Sequence, residues 1–133
     1  MKRTEAREQA FLLLYMKMFQ PELTEDELMG YAAESEFAVD DPYTRSLVAL
    51  TLAHTEEADA EIEKYLRGWS LSRLPRLSLA LLRMSACEIL FEEGVPESVA
   101  VNEAVNLAKK YISPEDASFI NGALRSLVRS RNA

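Results

Sequence analysis

The chain has 133 residues, of which 48% are hydrophobic, and its net charge is −7 at pH 7. This length and composition fit a single domain with its own hydrophobic core. No run of 18 apolar residues occurs, and the N-terminus leads into an amphipathic stretch, which argues against a membrane span or signal peptide and favours the cytoplasm. The only cysteine, Cys87, excludes an intramolecular disulfide and a cysteine-based metal cage, and we expect it to be buried.

The acidic charge is unevenly distributed. Residues 22–63 contain 13 acidic residues and one basic residue, Arg45, whereas both ends of the chain are rich in Lys and Arg. Because phosphate binding depends on Lys and Arg, this distribution favours one local RNA site over binding along the whole surface.

The N-terminal half is predicted to be helical. A first helix spans residues 4–19. The capping box Thr24-x-x-Glu27 starts a second helix, which is expected to end near Phe37. An N-cap at Asp41, followed by proline, starts a long helix to Arg67, with or without a break near His54.

The C-terminal half follows a glycine boundary. Gly68 is suited to the end of the preceding helix. The next helix, over residues 75–91, is apolar on nearly every side, which predicts a central position in the fold. Helices over 97–111 and from Ser113 onward complete the chain.

These elements predict an all-α fold of six to seven helices. The boundary at Gly68 divides them into an N-terminal bundle of about residues 1–67 and a C-terminal bundle of about residues 69–133. Each half is small, so we expect the two bundles to share an interface.

Residues suited to catalysis are scarce. The sequence contains one histidine, His54, one cysteine, no phosphate-binding loop and no nucleophile elbow. His54 is interpreted as a surface or half-buried structural residue. We therefore expect no enzymatic activity, no cofactor and no metal site.

The first helix carries more apolar residues than one core face needs. Phe11, Leu14, Tyr15 and Met18 form an ordinary stripe with helical spacing, and further apolar residues extend around the cylinder. Such a helix is either central to its own bundle or covered by a partner. Met16 and Phe19, near the helix end, are the better candidates for a protein interface.

Two pairs of arginines have i, i+4 spacing. Arg3 and Arg7 are expected to project from one ridge at the start of the first helix, with Lys2 just before them, and Arg125 and Arg129 form a second ridge. Guanidinium groups at a helix N-terminus can bind phosphate or stack on unpaired bases. By themselves such pairs are more often solubilising surface.

Several longer motifs resemble the NusB family, and in the family's order and spacing they span nearly the whole chain. They are Lys2-Arg3-x-x-Ala6-Arg7-Glu8-x-Ala10-x-x-x-Leu14-Tyr15, Leu82-Arg83-Met84-x-x-x-Glu88-Ile89-Leu90, Val95-Pro96 followed by Val101-Asn102-Glu103-Ala104-Val105-x-Leu107-Ala108-Lys109, and Phe119-Ile120-Asn121-Gly122-x-Leu124.

The resemblance implies a fold of two small helical bundles and a role in transcription antitermination. NusB proteins pair with ribosomal protein S10, also called NusE, and bind the boxA element of nascent transcripts, helping RNA polymerase pass terminators. Carried over by position, the RNA-binding residues are Lys2, Arg3, Arg7, Lys109, Phe119 and Asn121. Those facing the protein partner are Tyr15, Met16 and Phe19. Glu88, Asn102 and Asn121 are interpreted first as structural.

The chain departs from the family between Arg3 and Arg7. Where many members have further arginines it has Thr4 and Glu5. Fewer positive charges imply weaker attraction to phosphate and a shallower dependence of binding on salt.

Two alternatives remain open. The first is a relative of the RNA-binding domain of an rRNA methyltransferase. The second is a helical adaptor or homodimer that binds only protein. Replacing Arg3 and Arg7 by Ala is expected to weaken RNA binding, with helicity, melting temperature and partner binding preserved.

Overall fold

The computed structural model describes residues 2–34 and 41–133, and every regular element within those ranges is a helix. This agrees with the predicted all-α class. The helices are α1 (Arg3–Phe19), α2 (Glu25–Glu34), α3 (Pro42–Ala53), α4 (Thr55–Glu63), α5 (Arg76–Phe91), α6 (Glu97–Tyr111) and α7 (Pro114–Arg131), with a 3₁₀ turn at Leu71–Arg73 before α5.

The predicted caps are present at three helix starts. In the capping box, the Thr24 backbone N–H donates to Glu27 Oε1 over 3.0 Å, and the Glu27 backbone N–H donates to Thr24 Oγ1 over 3.1 Å. The Asp41 carboxylate accepts from the backbone N–H of Tyr43, and Ser113 caps α7 in the same way. Each cap satisfies a backbone donor that would have no partner inside its helix.

The long helix predicted from residue 42 is broken. Its first part ends at Ala53, His54 adopts a non-helical conformation, and α4 starts at Thr55. Regular α-helix stops at Glu63, and Gly68, with a positive φ of 92°, completes the turn that follows. The predicted end of the second helix near Phe37 lies outside the described residues.

Helix α5 is central, as its apolar sequence predicts. It packs against α1, α3, α4, α6 and α7, and Leu81, Leu82 and Met84 are fully enclosed. The buried apolar side chains of both halves form one continuous cluster. The predicted division into two bundles at Gly68 stays a prediction, and the two halves share this core.

His54 and Cys87 occupy structural positions. The His54 ring stacks on Phe91 with centroids 4.0 Å apart, and its Nδ1 lies 3.0 Å from Glu57 Oε2. Cys87 is completely buried, as predicted. No helix in the described ranges is both long enough and apolar enough to cross a membrane.

Candidate nucleic-acid and partner interfaces

The N-terminus of α1 presents an exposed cation held against an aromatic ring. Lys2 and Arg3 are both exposed. The Arg3 guanidinium carbon lies 3.9 Å from the centroid of the Tyr43 ring, a cation–π geometry. Tyr43 belongs to the first turn of α3, so the contact joins two helices.

Arg7 has a different environment from Arg3, and the expectation that both project from one exposed ridge is wrong. Arg7 is 3% exposed, and its Nε donates to both carboxylate oxygens of Glu88 over 2.9 Å. Glu88 is 2% exposed. The reason is visible in the helical register, because Arg7 lies four residues before Phe11 and continues its buried stripe.

Tyr43 completes this buried group. Its O–H donates to Glu88, while its backbone N–H is fixed by Asp41. Burial, and then the hydrogen bond to Glu88, raise the pKa of Tyr43 far above its ordinary value of 10.0. Tyr43 therefore stays neutral at physiological pH and remains a donor to the carboxylate.

The start of α1 is also fastened to α6. Thr4 Oγ1 donates to Glu103 Oε1 over 2.8 Å, and the same carboxylate oxygen lies 3.8 Å from Arg7 Nη1. Thr4, one of the positions that departs from the family pattern, therefore makes a specific structural contact. Because Glu88 and Glu103 surround Arg7, the positive charge at this end of α1 that no carboxylate pairs belongs, within residues 2–34 and 41–133, to Lys2 and Arg3.

Lys109 is exposed on the last turns of α6. Its neighbour Lys110 instead bonds Glu8 of α1, with an Nζ–Oε2 distance of 2.7 Å. Within the part of the chain that the structure describes, Lys109 forms no such ion pair. Its charge is thus available to a ligand.

Phe119 lines a cavity of about 360 Å³ between the segment that follows α4 and helix α7. The wall is rich in aromatic and cationic side chains, and Trp69 at its edge is 58% exposed. The residues around it are Tyr65, Leu66, Arg67, Trp69, Ser118, Phe119, Gly122, Ala123, Ser126 and Arg129. Aromatic faces next to guanidinium groups are suited to stacking on unpaired bases.

Asn121 lies on the same helix but is engaged within it. Its Oδ1 accepts a 2.9 Å hydrogen bond from Arg125 Nε. The structure therefore supports a local structural contact for Asn121, in line with the structural interpretation from the sequence. Its predicted role in RNA binding stays a prediction.

The residues assigned to a protein partner cluster at the end of α1. Tyr15 and Phe19 meet edge to face with centroids 4.9 Å apart, and Phe19 is 54% exposed. Arg76, at the start of α5, places its guanidinium carbon 4.9 Å from the Phe19 centroid. Met16 is partly buried beside them. We call Tyr15, Met16, Phe19 and Arg76 the α1-end patch.

Sequence reasoning did not identify Tyr43 or Glu103, and of the residues around Phe119 it named Gly122 and Arg129 without placing them at a common site. One clue to the buried group was available, because Glu88 stands in a helix that is otherwise apolar and a buried carboxylate needs a cation. Arg7 on the buried stripe of α1 was the matching cation. The ring of Tyr43 had no comparable sequence signal.

Known proteins match this chain over nearly its whole length. A sequence model of the NusB family matches residues 4–129. The transcription antitermination protein NusB of an Exiguobacterium species is 38% identical over 129 residues, covering 97% of this chain and 98% of the relative.

Solved structures share the fold. NusB from T. maritima has a TM-score of 0.86 at 26% identity, with 97% of this chain and 92% of that chain covered. A chain from the crystal structure of the antitermination factors NusB and NusE in complex with double-stranded RNA has a TM-score of 0.85 at 29% identity, and 96% of each chain is covered.

Proposed function

Because the chain belongs to the NusB family, we propose that it is a transcription antitermination factor that binds boxA-type single-stranded RNA together with ribosomal protein S10 (NusE). It acts by binding, without catalysis, within an RNA polymerase antitermination complex in the cytoplasm. The relationship to a chain solved with NusE and RNA supports both partners.

The observation that carries the RNA part of the proposal is the exposed Arg3 guanidinium at the N-terminus of α1. A helix N-terminus adds positive potential of its own, and a guanidinium offers paired N–H donors to phosphate. Lys2 lies next to it. On a chain of net charge −7, this local site favours a defined contact over general attraction to RNA.

Arg7 enters this proposal as a supporting residue. Its guanidinium is paired with Glu88 inside the protein, so its charge contributes little to an external phosphate. We infer that Arg7 orients the first turn of α1, from which Lys2 and Arg3 extend. Replacing Arg7 would then weaken RNA binding indirectly, because the first turn of α1 would lose its orientation.

The second part of the proposed RNA surface comes from α6 and α7. Lys109 supplies an exposed charge, and Phe119 lines the cavity with Trp69. Phosphate contacts position an RNA, whereas stacking holds its unpaired bases. Asn121, which is bonded to Arg125 on α7, is the remaining residue that we assign to RNA binding.

The α1-end patch is the proposed contact for NusE. Interfaces are enriched in aromatic residues, Met and Arg, and the patch contains each of these types. Phe19 is the exposed aromatic member and the expected anchor.

The test is titration of fluorescently labelled boxA RNA with this protein, with and without NusE, over a range of salt concentrations. We expect binding that weakens as salt rises and strengthens when NusE is present, with a scrambled RNA of equal length as the control. Equal affinity for both RNAs under all conditions would contradict the proposal. Sedimentation of the protein alone and with NusE distinguishes the proposed heterodimer with NusE from the alternative, a homodimer that binds no RNA.

A further inference from the structure

The contact between Arg3 and Tyr43 fixes the direction of an exposed guanidinium. The guanidinium carbon lies over the ring, 3.9 Å from its centroid, so the cation lies against the face of the ring. Stacking of this kind leaves the N–H groups at the edge of the guanidinium plane free to donate. Within residues 2–34 and 41–133, Arg3 contacts this ring, and no carboxylate is bonded to its guanidinium.

Tyr43 is fixed through both its backbone and its hydroxyl group. Asp41 accepts from its backbone N–H over 2.8 Å, and its phenol O–H donates to the buried Glu88. The next residue, Thr44, donates through Oγ1 to the Ala6 carbonyl over 3.0 Å. The Thr44 bond fixes α3 against α1 and the Glu88 bond fixes it against α5, so the ring beneath Arg3 has little freedom to turn.

Charge balance distinguishes the two arginines around this ring. The Arg7 guanidinium carbon is 5.7 Å from the Tyr43 centroid, but its charge is paired with Glu88. Arg3 carries a charge that no carboxylate neutralises among the described residues. The Tyr43 ring therefore contacts the exposed Arg3 cation on the surface, whereas the Arg7–Glu88 ion pair is buried.

We propose that Tyr43 is a positioning residue for RNA binding, which holds the Arg3 guanidinium face-on against its ring so that the N–H edge is directed to an RNA phosphate. This inference rests on the proposed function. An arginine that is already ordered loses less side-chain entropy when it binds, and ordering a long side chain accounts for roughly a three- to tenfold change in affinity.

The decisive comparison is between Tyr43→Leu and Tyr43→Phe. Both variants remove the side-chain hydroxyl that bonds Glu88, but only Tyr43→Phe keeps the aromatic ring. We expect Tyr43→Leu to bind boxA RNA roughly three- to tenfold more weakly, while Tyr43→Phe binds as the unsubstituted protein does. Both variants are expected to melt at lower temperature, and circular dichroism checks that they are folded.

A double-variant cycle tests the link to Arg3. Once Arg3→Ala has removed the guanidinium, adding Tyr43→Leu is expected to cause no further loss of RNA affinity. Tyr31→Leu is the control, because it removes an exposed aromatic ring of α2 that belongs to neither of the two proposed binding surfaces. It should leave binding of RNA alone unchanged.

Arg3→Lys provides a test that does not depend on substituting a partly buried residue. Lysine keeps the charge at this exposed position but lacks the planar fork, so we expect weaker RNA binding with an unchanged melting temperature. The inference is overturned if Arg3→Lys binds RNA as tightly as arginine, if Tyr43→Phe loses as much as Tyr43→Leu, or if the losses from Arg3→Ala and Tyr43→Leu add fully. Failure of the unsubstituted protein to bind boxA RNA, with or without NusE, would instead reject the proposed function.

Discussion

Arg7 of α1 and Glu88 of α5 lie 81 positions apart in the sequence and form a buried ion pair, in which Arg7 Nε is 2.9 Å from each carboxylate oxygen. A third group, the Tyr43 phenol, bonds the same carboxylate. The pair therefore fastens the N-terminal helix to the central one directly beneath the proposed RNA site.

Breaking this pair on one side is expected to destabilise the protein strongly. Arg7→Met leaves the Glu88 carboxylate buried without its cation, and Glu88→Gln leaves the buried Arg7 guanidinium with the longer 3.8 Å contact to Glu103 in place of its ion pair. Each is expected to lower the free energy of unfolding by about 3–5 kcal/mol. Urea denaturation followed by circular dichroism measures this change.

Two further variants make that result interpretable. Arg7→Met combined with Glu88→Leu removes both charges and should be less destabilised than either single variant. Arg83→Met breaks the bidentate pair with Asp59, whose side chains are 23% and 22% exposed, and should cost less, about 1 kcal/mol. Similar losses for Arg7→Met and Arg83→Met would contradict the buried-pair interpretation.

The same geometry corrects the expected outcome of the double Ala replacement. Replacing Arg3 and Arg7 together is not expected to preserve the melting temperature, because Arg7 is part of the core. Arg3→Ala alone is the informative variant for RNA binding. Its position on the surface predicts weaker RNA binding with unchanged stability.

The helices could be predicted from the sequence because their determinants are local. The Thr24–Glu27 box and the Asp41 and Ser113 caps act within four residues. The apolar sequence of α5 likewise predicts its central position. Each of these features depends on the spacing of residues within one segment.

The candidate site was predicted only in part, because its geometry depends on contacts between distant segments. The i, i+4 spacing of Arg3 and Arg7 indicates neighbours on a helix, but burial of one and exposure of the other depends on Glu88 and Tyr43. The cavity at Phe119 likewise combines the segment after α4 with α7. Charge and spacing in one helix do not determine such arrangements.

Cys87 is expected to resist thiol reagents in the folded protein. Burial raises the pKa of its thiol to about 12, and neighbouring carboxylates add to the effect. Since the thiolate is the reactive form, a disulfide reagent at pH 8 should label the protein only after urea is added. Labelling of the native protein as fast as of the unfolded protein would contradict this burial.

The raised pKa of Cys87 also predicts an alkaline loss of stability. The folded state holds the thiol proton more tightly than the unfolded chain, whose thiol pKa is near 9.0. The resulting stabilisation is fully present below pH 9 and is lost as pH rises toward 12. Tyr43 shifts in the same direction. Urea unfolding at pH 8 and pH 10.5 measures the loss, which Cys87→Ala should reduce.

Phe19 is expected to anchor NusE. Phe19→Ala removes the exposed ring of the α1-end patch, and truncating such an anchor commonly weakens binding by about tenfold or more. Titration of NusE by calorimetry measures the change. Tyr31→Ala is the matched control, because Tyr31 on α2 is also an exposed aromatic, at 49% against 54% for Phe19. Equal losses from both variants would reject a specific contact at Phe19.

Phe119 and Lys109 are expected to affect RNA binding in distinguishable ways. Phe119→Ala removes a neutral stacking surface, so affinity should fall by about tenfold while the dependence on salt is unchanged. Lys109→Ala removes one phosphate contact, so the slope of log affinity against log salt should become shallower by about 0.7 for a single strand. Filter binding of boxA RNA at four salt concentrations separates the two effects. If both variants change only the slope, Phe119 does not stack on a base, and the cavity beside Trp69 is not part of the RNA surface.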